Sequence, residues 1–187
     1  MIEKILELAA RQAQAAEVFE VENEETPVQF ENNKLKSAAT RSIKGYALRI
    51  IKDGKIGFSS TTKQDPEGLI ANALATAEFG QEAAYGFASK PESIPQVKTF
   101  DPAVTKISVE ELVETGQNIL DAMRQAEPDA QVGVGVEKCW SRQRLMNTNG
   151  LDVSYESTYY GMGGGLEIVR GTDMLQVWDS KDSRSKF

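Results

Sequence analysis

The 187-residue chain is 40% hydrophobic and 26% charged, an ordinary globular composition that allows one large domain or two small ones. It contains no histidine, which excludes a Ser-His-Asp triad, a Cys-His pair and a histidine-ligated metal site and leaves only carboxylate or lysine chemistry open. The net charge of −7 weighs against general nucleic-acid affinity, and a single cysteine, Cys139, excludes an internal disulfide framework.

In chain order, Ile2, Ile5, Leu6 and Ala9 follow the spacing of a buried helical stripe, which predicts a first helix over about 2–15. Met1 leads straight into this amphipathic stretch, which does not resemble a signal peptide, and no apolar run is long enough to span a bilayer. Together with the lone cysteine this gives a cytoplasmic location as the expectation. Phe19 and Val21 then alternate with Glu20 and Glu22, which predicts a half-buried strand with the phenylalanine and valine on one face. Pro27 interrupts, and Val28 and Phe30 resume the alternation. Asn32-Asn33 is a turn pair, because asparagine tolerates positive φ. KLKSAATRSI and GYALRIIK are two further strands, and Asp53-Gly54 is a hairpin turn that returns the chain through KIGFSST.

A second helix starts at Asp65 as N-cap with Pro66 at the first helical position, and Gly80 is placed as its left-handed C-terminal cap. Residues 81–107 carry Pro91, Pro95 and Pro102 and no periodicity. A third helix opens with a capping box, Ser108 with Glu111, and stops at Pro128-Asp129. Val132, Val134 and Val136 alternate with Gly133 and Gly135 in a strand, Asn149-Gly150 is a second hairpin turn, and LDVSYESTYY and LEIVR complete the pattern. The predicted class is α+β, as two consecutive helix-plus-antiparallel-sheet units. The expected boundaries are a domain over 1–90, a linker over 91–107 and a second, incomplete domain over 108–187.

Each candidate site has a simpler structural reading. The Gly161, Gly163, Gly164 and Gly165 cluster is followed by a strand, not by a helix that could present its N-terminus to a phosphate, so a bulge, a bend or close backbone approach is expected. Cys139 lies beside Lys138 and near Arg142, which would lower a thiol pKa, yet no histidine can serve as its base; it reads as a small strand residue. Glu110-Glu111 and Glu24-Glu25 are adjacent only in sequence, and neither pair is assigned an acid–base role. The basic run Lys34, Lys36, Arg41, Lys44, Arg49, Lys52, Lys55 and Lys63 follows an acidic stretch, Glu17 to Glu31, and is expected to pair with it across the sheet. Hairpin geometry accounts for Asn147-Thr148-Asn149-Gly150 without a ligand.

Three stretches together carry a family resemblance: AEVFEVENEETPVQFENNKLKSAATRSIKGYALRIIKDGKIGFSST with DPEGLIANALATAEFG, then VKTFDPAVTKISVEELVETGQNILDAMRQAEPD, then RLMNTNGLDVSYESTYYGMGGG. In order and spacing they resemble the amino-terminal and middle regions of the TldD/PmbA family, also labelled modulators of DNA gyrase or U62 peptidases. The resemblance implies a parent more than twice this length. TldD-type members of the family are zinc metallopeptidases whose His-Glu-x-x-x-His motif lies beyond these regions, and PmbA-type members lack the motif and pair with a TldD-type partner. No family catalytic, cofactor or metal residue can be placed on this histidine-free sequence. The chain breaks off at DSRSKF without a finishing element, which leads us to expect a fragment or split gene product. The implied role is a non-catalytic portion, inactive alone, that scaffolds a homo- or heterodimer and walls a chamber in which extended peptides reach a zinc held elsewhere. A stand-alone protein- or peptide-binding adaptor is the alternative, and a nucleic-acid regulator using Lys34–Lys63 is a third; neither direct nucleic-acid binding nor a membrane is expected.

Overall fold

The computed structural model describes residues 1–187. Its elements are α1 (Ile2–Ala10), β1 (Ala15–Glu31), β2 (Lys34–Ala38), β3 (Arg41–Lys52), β4 (Lys55–Thr61), α2 (Pro66–Glu78), α3 (Pro102–Thr105), α4 (Val109–Ala126), β5 (Gln131–Asn147), β6 (Asp152–Arg170) and β7 (Asp173–Ser183). The strand order is β4-β3-β1-β5-β6-β7, with β2 paired to β1. The hairpins β1–β2, β3–β4 and β6–β7 are antiparallel, so the class is α+β. No helix is long and apolar enough to cross a membrane.

Packing divides the chain into two compact units of three segments each. The first comprises Met1–Glu22, Ile43–Val97 and Arg142–Tyr155; the second comprises Asn23–Ser42, Lys98–Ser141 and Glu156–Phe187. The units are therefore interleaved, where a consecutive division at 91–107 was expected. The reason lies in strand length. β1 and β5 have 17 residues and β6 has 19, about 55–60 Å each at roughly 3.3 Å per residue. A strand of that length outruns one small hydrophobic core and contributes to two.

In the first unit, Ile2, Ile5 and Ala9 of α1 and Leu69, Ile70, Ala73 and Ala77 of α2 share a core with Ala16 and Val18 of β1 and Tyr46, Leu48 and Ile50 of β3. The α1 helix ends at Ala10, short of the predicted residue 15, because Gln14 already donates its N–H to the Ile51 carbonyl at 2.9 Å and the chain turns into β1. Sheet pairing overrides the helix propensity of Ala-Arg-Gln-Ala-Gln. The strand buries Ala16 and Val18, while Phe19 and Val21 share the other, half-buried face, apart from Glu20 and Glu22. The Asp65 carboxylate caps α2 through the Gly68 N–H at 2.9 Å, as the sequence indicates. Gly80 is not left-handed. Glycine fits there because a Cβ would lie 2.0 Å from the Ile56 carbonyl oxygen.

In the second unit, Val28 and Phe30 of β1, Leu112 and Leu120 of α4, Val132, Val134 and Val136 of β5 and Tyr160 of β6 form the core. Gly116 of α4 lets the Phe30 ring approach so closely that a Cβ would meet its Cε2 at 2.4 Å. Pro27 lies inside β1 and does not break it, because it falls just past the last β1–β2 pair, Val28↔Ala38, where no ladder hydrogen bond to β2 is lost. The expected linker is structured at its end: Asp101 caps α3 through the Ala103 N–H, and Val104 and Ile107 are buried. The turns at Asn32-Asn33 (φ 50° and 65°) and Asp53-Gly54 (φ 51° and 74°) have the double positive φ of two-residue hairpins.

Candidate functional site

The most elaborate polar arrangement of the first unit surrounds the loop between β5 and β6. Asn147 donates its backbone N–H to the Leu151 carbonyl at 3.0 Å, and only Gly150 has positive φ (82°), so the loop is a three-residue connection closed by a left-handed glycine. The predicted two-residue turn on Asn149-Gly150 is thus longer by one residue. The Asn147 side chain is buried. Its Oδ1 accepts from Asn149 N at 2.9 Å and Leu151 N at 3.2 Å, and its Nδ2 donates to the Ala88 carbonyl at 2.8 Å. Asn149 Nδ2 donates to the Phe87 carbonyl at 2.6 Å. Two asparagines therefore tie down the irregular segment that follows α2. Phe87, buried, carries the Arg49 guanidinium over its ring at 5.1 Å, and Arg49 pairs with the buried Glu17 at 2.5 Å. Hairpin geometry alone did not reveal this tether, because its acceptors are backbone carbonyls 59 and 62 positions away.

The basic run meets the acidic stretch across the sheet. Lys44 lies 2.8 Å from Glu20 and 3.3 Å from Glu22, Lys36 lies 2.5 Å from Glu31, and Arg41 lies 3.8 Å from Glu25. A further network joins Arg144 to both oxygens of Asp152, at 2.9 Å each, and to Glu3. The adjacent carboxylates do not form proton-sharing pairs. Glu110 and Glu111 sit in the first turn of α4, capped by Ser108. The Glu110 carboxyl is held below its usual range by a backbone N–H, and the Glu111 carboxyl by a hydrogen bond from Lys186. Glu24 accepts from the Ser42 hydroxyl at 3.4 Å. Glu25 helps to raise the Glu137 carboxyl, whose main cause is burial.

Cys139 is half-buried in β5. Burial chiefly pushes its thiol up, Glu137 and Glu25 add to this, and its sulfur lies 3.1 Å from Asn23 Oδ1. Lys138 does not activate it, because its ammonium is taken up by the carbonyls of Thr105 at 3.1 Å and Ile107 at 2.5 Å. No group of three or more Cys, Asp or Glu lies close enough together to hold a metal ion. Zinc, which the family resemblance implies for a longer assembly, thus finds no ligand set among these residues.

The glycine cluster lies within one continuous strand, with a regular register from Tyr160↔Ser183 to Arg170↔Asp173 and no bulge. Close approach is its physical basis. A Cβ on Gly164 would meet Met123 Sδ of α4 at 2.7 Å. Gly161, Gly163 and Gly165 face the opposite side of the sheet, and Gly133 and Gly135 alternate with buried valines in β5. They floor two shallow cavities of about 400 and 220 Å³, the larger walled by Gln176 and Trp178 and the smaller by Tyr159 and Asp182. Beyond them runs β7, which the sequence reading missed. It pairs only with β6 and is exposed along nearly its whole length, with Trp178 at 78% and Met174 at 65% accessibility.

Comparison with known proteins places these features in a family. Residues 16–77 match PmbA/TldA metallopeptidase domain 1, and residues 102–172 match the PmbA/TldA metallopeptidase central domain. An uncharacterized protein of Methanocaldococcus jannaschii is 29% identical over 163 residues, 85% of this chain and 37% of that protein. The crystal structure of TldE from Thermococcus kodakarensis superposes with a TM-score of 0.86 at 20% identity over 97% of this chain and 42% of that one. A candidate modulator of DNA gyrase from Bacteroides thetaiotaomicron superposes at 0.88 with 17% identity over 98% of this chain and 44% of that one. The chain spans less than half the length of each of these relatives, and at these identities the two solved structures establish the fold alone. With both domain matches in the expected order, the chain belongs to the TldD/PmbA family and corresponds to its amino-terminal and central domains.

Proposed function

We propose that this chain is the non-catalytic amino-terminal and central portion of a TldD/PmbA-type metallopeptidase subunit, serving to pair subunits and to wall the space through which extended peptides reach a zinc site borne by other residues. The observation that carries the reading is the match of residues 16–77 and 102–172, in order, to domains described as metallopeptidase domain 1 and central domain. Gly133 and Gly135 of β5 support it: a Cβ would meet only the Phe30 carbonyl oxygen, at 3.6 Å, on the first and nothing within 4 Å on the second, and a strand face without side chains admits a second main chain at close range. In this reading the chain contributes shape and binding surface, and the hydrolytic step belongs to the complete assembly. We place that assembly in the cytoplasm.

Zinc titration with peptidase assays on the purified chain tests the proposal. The chain alone is expected to bind no zinc stoichiometrically and to leave unstructured peptides intact, while mixing it with a histidine-bearing TldD-type subunit yields a complex. Tight one-to-one zinc binding, or peptide cleavage by the chain alone, refutes it. The exposed apolar residues of β7 favour a second reading, a peptide-binding adaptor with no protease partner. Failure to associate with any TldD-type subunit, combined with saturable binding of extended peptides, is its signature.

A further inference from the structure

A cavity of about 310 Å³ lies in the second unit, walled by Glu24 of β1, Phe100, Val104 and Thr105 at α3, and Lys138 and Trp140 of β5. Strand alternation puts Glu24 on the face of Val28 and Phe30, and Lys138 and Trp140 on the face of Val134 and Val136. The cavity thus sits where the second core ends: Val104 is fully buried, and the next strand positions are charged or aromatic. Cys139 turns its sulfur to the opposite face, toward Asn23 Oδ1. The walls are held in place by the protein's own hydrogen bonds. Phe100 lies between two residues anchored to β6: the Thr158 N–H donates to the Thr99 carbonyl at 2.9 Å, and the Asp101 N–H donates to the Thr158 hydroxyl at 2.9 Å. The Lys138 ammonium donates to the carbonyls of Thr105 and Ile107, which occupies two of its three N–H groups and leaves one. The Glu24 carboxylate accepts from the Ser42 hydroxyl at 3.4 Å, long for such a bond. The ion pairs of β1 engage Glu17, Glu20, Glu22, Glu25 and Glu31, and those of β5 engage Arg142 and Arg144, so Glu24 and Lys138 both keep an unpaired charge.

We propose that this cavity binds a free α-amino acid with an aromatic side chain. One cation and one anion with unused hydrogen-bonding capacity, set among apolar walls, match a zwitterion. The ligand carboxylate takes the remaining Lys138 N–H, its ammonium meets the Glu24 carboxylate, and its ring packs against Phe100, Val104 and Trp140. A plain organic cation would leave the Lys138 charge facing it, and a plain anion would leave that of Glu24. Size sets the other limit. The volume is at the lower end of the roughly 300–1,000 Å³ of ligand pockets, which suits a molecule of one residue and not a nucleotide or a long peptide. Because the walls are already fixed, little ordering opposes binding. The inference stands apart from the scaffold reading, since it needs no zinc, no second subunit and no peptide cleavage.

Titration of the full 187-residue chain with L-phenylalanine, followed by the indole N–H signals of its two tryptophans in nuclear magnetic resonance spectra, tests the inference. Trp178→Phe assigns the two signals. The Trp140 signal should shift saturably, with a Kd in the millimolar range or below, while that of Trp178 stays in place. Phenethylamine, which lacks the carboxylate, and 3-phenylpropionate, which lacks the ammonium, should each bind at least about threefold more weakly. L-Alanine, which lacks the ring, should bind at least about tenfold more weakly. Glu24→Gln should remove the preference for phenylalanine over 3-phenylpropionate and keep the preference over phenethylamine; Lys138→Met should do the reverse. Glu24 is exposed, so its variant carries the test even where loss of Lys138 disturbs α3. No saturable shift at Trp140, equal shifts at both tryptophans, or phenethylamine bound as tightly as phenylalanine overturns the inference. So does a Glu24→Gln variant that discriminates between the ligands as the wild type does.

Discussion

Replacing Asn147 by alanine removes a side chain whose three strongest hydrogen bonds all go to backbone groups: Asn149 N and Leu151 N as donors, and the Ala88 carbonyl as acceptor. An unmade bond to a buried group costs about 1–3 kcal/mol. Leu151 is buried and bears that penalty in full, whereas Asn149 and Ala88 lie near solvent and recruit water, which lowers their share. The expected loss is roughly 2–3 kcal/mol, which in a chain of this size lowers the melting temperature by roughly 5–10 °C. Urea unfolding followed by far-ultraviolet circular dichroism measures it. Hydrogen exchange locates it, with faster exchange expected at Asn149 and Leu151 and through the segment after α2. Asn147→Asp sharpens the reasoning. It keeps the acceptor but loses the donor and sets a second carboxylate where Nδ2 now lies 3.4 Å from Glu17, so it should be unstable at neutral pH and recover in mild acid. An alanine variant within about 0.5 kcal/mol of wild type, with exchange after α2 unchanged, would refute the tether.

Two further predictions concern titratable groups. The Asp101 carboxyl is lowered, first by the Ala103 N–H and then by the Lys186 N–H. Its folded pKa lies below its unfolded one, so its contribution is complete above the ordinary carboxylate range and is lost as pH falls through the folded value. Asp101→Asn should therefore flatten the acid limb of a plot of urea midpoint against pH, and an unchanged limb would count against the cap. Because burial raises the Cys139 thiol, iodoacetamide should alkylate it at least about tenfold more slowly at neutral pH than an unstructured cysteine peptide. Equal rates would show that the thiol is neither shielded nor raised.

Local rules were legible where a residue acts on its own backbone. Asn32-Asn33 and Asp53-Gly54 form the turns their φ tolerance implies, and Asp65 and Ser108 cap the helices they precede. Misreadings arose where distant packing decides. The α1 helix stops early because the chain pairs with Ile51, and Gly80 answers to the Ile56 carbonyl, not to a helix cap. β7 escaped notice because both of its faces are exposed. Met174-Leu175 and Val177-Trp178 stand side by side, so no alternation marks the strand. The pairing of Lys44 with Glu20 and Glu22 was foreseeable from the acidic stretch preceding the basic run, whereas the reach of Asn147 to Ala88 has no local signature.

The interleaved segments also constrain biosynthesis. By the time residue 97 leaves the ribosome, α1, β3, β4 and α2 are present, yet the loop at Asn147 that secures the first unit has not been made. Its buried core, which ends at Ala77, is complete by then, and the loop at Asn147 joins it only at about residue 155, when two of the three segments of the second unit have already emerged. The usual order, in which an amino-terminal domain folds before the next is translated, is open to the first core, while its tether to Asn147 comes later. The second core waits longer, since it draws on Val132, Val134 and Val136 of β5 and on Tyr160 of β6.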